Sequence, residues 1–126
     1  MARILIVDAY EPMRTALANV LEQYSHEVTV VASSASALIL VTQNKPDVVL
    51  LELSMPDSAR AVQVLTRCRM NGIKVVVMVD DTSAAVSSLA QAKRLGAVAQ
   101  LIKPFPVDAL VACVHQVLDT PSDSMS

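Results

Sequence analysis

The sequence predicts an α/β fold: a doubly wound, five-stranded parallel sheet in the order 2-1-3-4-5, with helices on both faces to make a three-layer sandwich. Two observations carry this. Short apolar runs alternate with helical patterns from one end of the chain to the other, which requires parallel strands joined by right-handed crossovers. Three of those runs, Ile4 to Val7, Val48 to Leu51 and Val75 to Val79, are apolar without a break, as strands covered on both faces must be.

Each element has its own signal. Ile4 to Val7 is the first strand. Met13, Leu17, Val20, Leu21 and Tyr24 recur at helical spacing and put one apolar stripe on a helix that opens near Glu11 and Pro12, where proline is tolerated. Val28 to Val31, interrupted by Thr29, suits an edge strand. Ser34 to Gln43, carrying Leu38 and Val41, is the second helix and stops before Asn44 and Pro46, because the residue preceding a proline is pushed out of the helical region. Val48 to Leu51 is the third strand. Ala61, Leu65 and Cys68 mark a third helix closed by Gly72, and Val86, Leu89 and Leu95 mark a fourth closed by Gly96. Thr82 or Ser83 caps that fourth helix. Val98 to Ile102 is the weaker, outer fifth strand. Pro106 opens a fifth helix with the stripe Val107, Leu110, Val111, Val114, Val117 and Leu118, and Asp108 in its first turn suits the helix dipole. The pattern ends there, so residues 1–118 are expected to form the domain. Residues 119–126, DTPSDSMS, are expected to be a disordered tail or the start of a linker.

Composition narrows the function. A chain of 126 residues is long enough for one core. Hydrophobic residues at 53% against 17% charged say that it folds. A formal charge of -2, with no Lys/Arg run interleaved with aromatics, lacks the footprint of a nucleic-acid binder. No apolar run nears the roughly 20 residues of a membrane span, and the start of the chain is too briefly apolar for a signal peptide. Cys68 and Cys113 fall on apolar helix positions and are expected to be packed thiols. A cytoplasmic protein follows.

In this topology the ligand site belongs at the carboxyl ends of the central strands, where the strand order reverses. Asp8, Glu52 and Asp80 end the first, third and fourth strands, with Asp81 beside the last, and Lys103 ends the fifth. Any one of these alone reads as a solvated loop residue; together they make an acidic pocket of Asp8 and Asp80 around Glu52, all expected at the rim rather than in the core. Lys103 is expected to turn inward and pair with Glu52 or Asp80. Three carboxylates against one ammonium leave excess negative charge, which a divalent cation or a proton would relieve.

ILIVDAYEPMR, PDVVLLELSMP, the VVVMV strand, LGA and LIKPF, in this order, make the sequence resemble a response-regulator receiver domain of the chemotaxis-regulator type, the phosphoacceptor module of two-component signalling. The resemblance spans residues 1 to about 118 and rests most on Asp8, on Met55 with Pro56, and on Lys103, Pro104 and Phe105. It implies a flavodoxin-like (βα)5 fold and a cis Lys103–Pro104 bond. It also implies a site of two adjacent acids, an Asp acceptor, a Ser or Thr, and a Lys.

Asp8 and Lys103 match that pattern. Ala9 stands where the second acid should be, so metal held by Asp8 and Glu52 is expected to be weak or absent, and the cofactor either none or weakly bound Mg2+. Glu52 stands at the phosphoacceptor position, and its extra methylene displaces the carboxylate by roughly 1.5 Å, enough to cost on the order of a hundredfold in an alignment-dependent step. At the switch positions Asp80 replaces the hydroxyl residue and Gln100 the usual aromatic, while Ala59 and Arg60 replace a common Asp-Gly. The resemblance therefore implies an atypical pseudo-receiver: not an enzyme, but an interaction module independent of phosphorylation, with Glu52 and Lys103 imitating the charge of a phosphorylated acceptor.

Its expected partners are a histidine kinase or output protein, met through the fourth helix, fifth strand and fifth helix. A homodimer on the small-residue surface of SAAVSSLAQA is a further expectation. The alternative is a conventional phosphorelay receiver that uses Asp8, Glu52 and Lys103 in Mg-dependent phosphotransfer. An FMN carrier would need more hydroxyls and aromatics than DAYEPMRT supplies, and a DxD phosphatase fails at Ala9 and Tyr10. His26 and His115 read as separate solvated side chains.

Overall fold

A computed structural model describes residues 2–54 and 58–120. Met55 and Pro56, which carry part of the resemblance, and residues 121–126 of the expected tail lie outside them. The elements alternate as β1 (Arg3–Val7), α1 (Glu11–Glu22), β2 (Glu27–Val31), α2 (Ser34–Gln43), β3 (Val48–Glu52), α3 (Ser58–Met70), β4 (Lys74–Asp80), α4 (Ser83–Arg94), β5 (Ala99–Lys103) and α5 (Val107–Asp119). All strand pairs are parallel and the order is β2-β1-β3-β4-β5, as the apolar patterns predict.

Strand alternation divides the core into two layers. Leu5, Val7, Val49, Leu51, Val75, Val77 and Val79 face α2, α3 and α4, where Val41, Val64, Leu65 and Leu89 meet them. Ile4, Ile6, Val48, Leu50, Val76 and Met78 face α1 and α5, against Leu17, Leu21, Leu110 and Val114. Val48 to Leu51 are each 0% exposed. Burying both sides of β3 is what demands the unbroken apolar run, at about 1.5–3 kcal/mol for each large aliphatic side chain.

The helix ends follow local chemistry. Thr82 caps α4 by accepting the Ala85 N–H at 3.1 Å, and Ser33 caps α2 by accepting that of Ser36 at 3.2 Å. Beyond α3 and α4 the chain turns through Gly72 and Gly96, at φ +70° and +114°. There the Ile73 N–H reaches back to the Cys68 carbonyl and the Ala97 N–H to that of Ala92, turns that a residue with Cβ adopts only at a cost. Helix α5 runs one residue past Leu118. The Thr120 N–H still bonds to the Gln116 and Val117 carbonyls, and Lys74 Nζ donates to the carbonyls of Val117 (2.7 Å) and Thr120. A cation at the last turn satisfies groups the helix cannot satisfy itself.

Two side chains read separately from the sequence meet here. His26 and His115 bring their Nε2 atoms to 3.2 Å, His26 Nδ1 accepts the Ala2 N–H, and Tyr24 stands edge-on to the His115 ring. Cys68 is buried, and desolvation pushes its thiol up to about 12. Among the described residues no helix is long and apolar enough to cross a membrane.

Candidate functional site

Side-chain parity builds the site. Asp8 continues the Ile4, Ile6 face of β1, Glu52 the Val48, Leu50 face of β3, and Lys103 the Leu101 face of β5. Since side chains two apart share a face, all three leave their strands toward the α1/α5 layer at the carboxyl edge of the sheet. Lys103 Nζ lies 2.9 Å from Asp8 Oδ2 and 2.5 Å from Glu52 Oε2. Its inward turn was expected; of the two partners expected, it takes Glu52 and not Asp80. The Lys103–Pro104 bond is cis.

Glu52 corrects the expectation of a rim position. It is the last residue of β3 and only 4% exposed, with Asp8 at 2%. Buried charges must be paired and hydrogen-bonded, and these are. Asp8 Oδ1 accepts the Tyr10 N–H at 2.9 Å, and Glu52 Oε1 accepts the Ser54 N–H at 2.7 Å, so each carboxylate is held by the backbone two residues on. The approach of Lys103 to Glu52 Oε2 is an ion-pair contact outside hydrogen-bonding angles. Burial alone would lower the Lys103 pKa; the pull of the Glu52 and Asp8 carboxylates outweighs it, and the net direction is upward. Arg14, which the sequence did not single out, donates from Nη1 to the Asp8 carbonyl at 2.8 Å and ties α1 to the end of β1.

Asp80 is a second correction. It shares the parity of Val76 and Met78 and pairs in register with Lys103. Yet it ends the strand where the chain turns, its carbonyl accepting the Thr82 N–H. Its side chain is exposed, lines a groove between α3 and α4, and makes no ion pair among the described residues. The acidic pocket is thus Asp8 and Glu52, without Asp80. Asp81 and Gln100 are also exposed, and Gln100 lines a small cleft with Lys93 and Val98.

The donor set does not fit Mg2+, which requires near-octahedral oxygen ligation. Ala9 offers no side-chain donor, an ammonium stands between the two carboxylates, and no cluster of three acidic, His or Cys ligands forms among the described residues.

Comparison with known proteins agrees with the topology. The response regulator receiver domain family matches residues 4–115. The chain is 27% identical over 121 residues to sporulation initiation phosphotransferase F of Bacillus subtilis, covering 96% of this chain and 97% of that protein. To the protein PilH of Pseudomonas aeruginosa it is 32% identical over 121 residues, covering 94% and 98%. The solved signal receiver domain of a response regulator from Bermanella marisrubri superposes with a TM-score of 0.81 at 30% identity, over 93% of this chain and 98% of that one.

Proposed function

Because the chain belongs to the response regulator receiver domain family of two-component signalling, we propose that it works as a protein-interaction module held in one state without phosphorylation. One observation carries the reading: Lys103 is already shared between Asp8 and Glu52. In the family pattern the lysine would neutralise an incoming phosphoryl group. Here its charge is engaged, Glu52 occupies the acceptor position with its carboxylate turned onto that lysine, and Ala9 removes a metal ligand. Glu52 thereby supplies permanently a negative charge that phosphorylation would supply transiently.

Receiver domains meet histidine kinases and output domains. For this chain the supporting surface is α4, β5 and α5, where Ile102 and Val107 are 38% and 54% exposed and Val98, just before β5, is 53% exposed. Exposed apolar side chains on neighbouring elements suit a contact face.

Intact-mass measurement after incubation with acetyl phosphate and Mg2+ tests the reading. No mass gain is expected in the unaltered chain, and uptake of one phosphoryl group is expected when Ala9→Asp and Glu52→Asp are combined. A one-phosphoryl gain in the unaltered chain that disappears in Glu52→Gln would establish the conventional phosphotransfer reading instead.

A further inference from the structure

The chain's charge is unevenly placed. Helices α3 and α4 carry five of its ten Lys and Arg residues, Arg60, Arg67, Arg69, Lys93 and Arg94, and none of its twelve Asp and Glu residues. All five are exposed and none pairs with a carboxylate among the described residues. Four lie in last turns, where the helix dipole favours cations, and that accounts for part of the pattern. It does not account for Arg60 in the first turn of α3, where the dipole opposes it. Nor does it explain why neither helix carries an acid at the i+3 or i+4 positions that would support these cations.

Between the two helices runs a groove of about 420 Å3 with Leu53, Val62, Leu65 and Leu95 among its apolar walls. Asp80 and Thr82 line the end nearest the carboxyl edge of the sheet. Arg69 stands beyond the other end, outside the residues that line the groove. It continues the α3 stripe of Val62 and Leu65, and its Cδ lies 3.1 Å from where a Cβ on Gly96 would stand, so its stem crosses to the end of α4. Arg94 follows the groove residue Gln91 by one turn.

We propose that the α3–α4 groove docks an amphipathic helix of a partner protein, apolar along the face it lays down and acidic at the end that meets Arg69 and Arg94. The groove's own polarity sets the orientation. The negative C-terminal end of the incoming helix lies at the arginines and its positive N-terminal end at Asp80. The 13 residues of α3 extend about 20 Å, which sets the incoming helix at about 13 residues. Nucleic acid is the poorer match, because no aromatic residue lines the groove, its walls include Leu53, Val62, Leu65 and Leu95, and a carboxylate stands at one end. The proposal uses neither Lys103 nor the exposed residues of β5 and α5.

Backbone amide spectra of the full chain, titrated with a synthetic helical peptide of about 13 residues, test it; the peptide carries leucines on one face and glutamates in its last turn. Saturable shifts confined to α3, α4 and the Asp80 end are expected. Arg69→Glu with Arg94→Glu should weaken binding about tenfold or more and reverse the preference toward the same peptide with lysines for glutamates. Because the Arg69 stem also packs beside Gly96, Arg69→Gln with Arg94→Gln is the milder partner, and an unchanged melting midpoint separates lost binding from lost folding. The proposal is overturned by the absence of saturable shifts, by shifts that map elsewhere, or by binding that survives replacement of the leucines by serines. Indifference to the charge swap, equal binding of a DNA duplex, or self-association of the chain through this groove would overturn it as well.

Discussion

Lys103 serves two carboxylates at once, and that asymmetry predicts unequal mutational costs. Lys103→Met leaves Asp8 and Glu52, 2% and 4% exposed, without a counter-charge; breaking a buried pair in this way costs about 3–5 kcal/mol. Glu52→Gln leaves one carboxylate facing one ammonium, and the loss should stay below about 1.5 kcal/mol. Urea denaturation of both variants at neutral pH checks this, and equal losses would contradict the shared-ammonium description. The raised pKa of Lys103 puts its titration above the ordinary 10.5, so its contribution is complete below that value and is lost only as pH rises through the higher folded one. His26 titrates in the other direction. Desolvation, the neighbouring His115 and the chain's amino terminus lower the His26 pKa below 6.5, so just below that pH the unfolded chain binds more protons and folding stability falls with acidity. The melting temperature should therefore drop between about pH 7 and about pH 5.5, where histidine charges; His115→Gln should lessen that drop only in part, since burial of His26 remains, and His26→Gln should flatten it.

At the scale of elements, Lys74 gives the clearest expectation. Its ammonium reaches the Val117 and Thr120 carbonyls at the end of α5, so Lys74→Met should cost about 0.5–1.5 kcal/mol and speed amide exchange in the last turn of α5. Exchange unchanged from Val117 to Thr120 would show that the helix ends without this help. Element identity was legible because unbroken aliphatic runs and 3.6-residue stripes are local properties; Val48 to Leu51 announces a strand covered on both sides by itself. The site was legible in part. Asp8 and Lys103 stand at strand ends whose parity can be counted from the sequence, but parity also assigns Asp80 to them, and the turn that follows it takes it away. His26 and His115 lie 89 residues apart, and nothing in their local surroundings signals that they meet. Arg14 looks like any polar-face helix residue until α1 is docked on β1.

For the whole molecule the strongest expectation concerns magnesium. A tight site would stabilise the fold by about 2.7 kcal/mol at a hundred times its Kd. With Ala9 in place and Lys103 between the carboxylates, added Mg2+ should leave the denaturation midpoint no higher than a sodium chloride control of equal ionic strength does. An Mg2+-specific rise would mean that the ammonium yields to the metal. The same three residues bear on how the sheet assembles. They end or directly follow β1, β3 and β5, and sliding any one of these strands by a single place would send its polar end toward the opposite layer, away from its partners. Mispaired arrangements of the chain thereby lose the ion pairs in addition to the apolar packing, and the trio acts as a proofreading key for the threading of the strands.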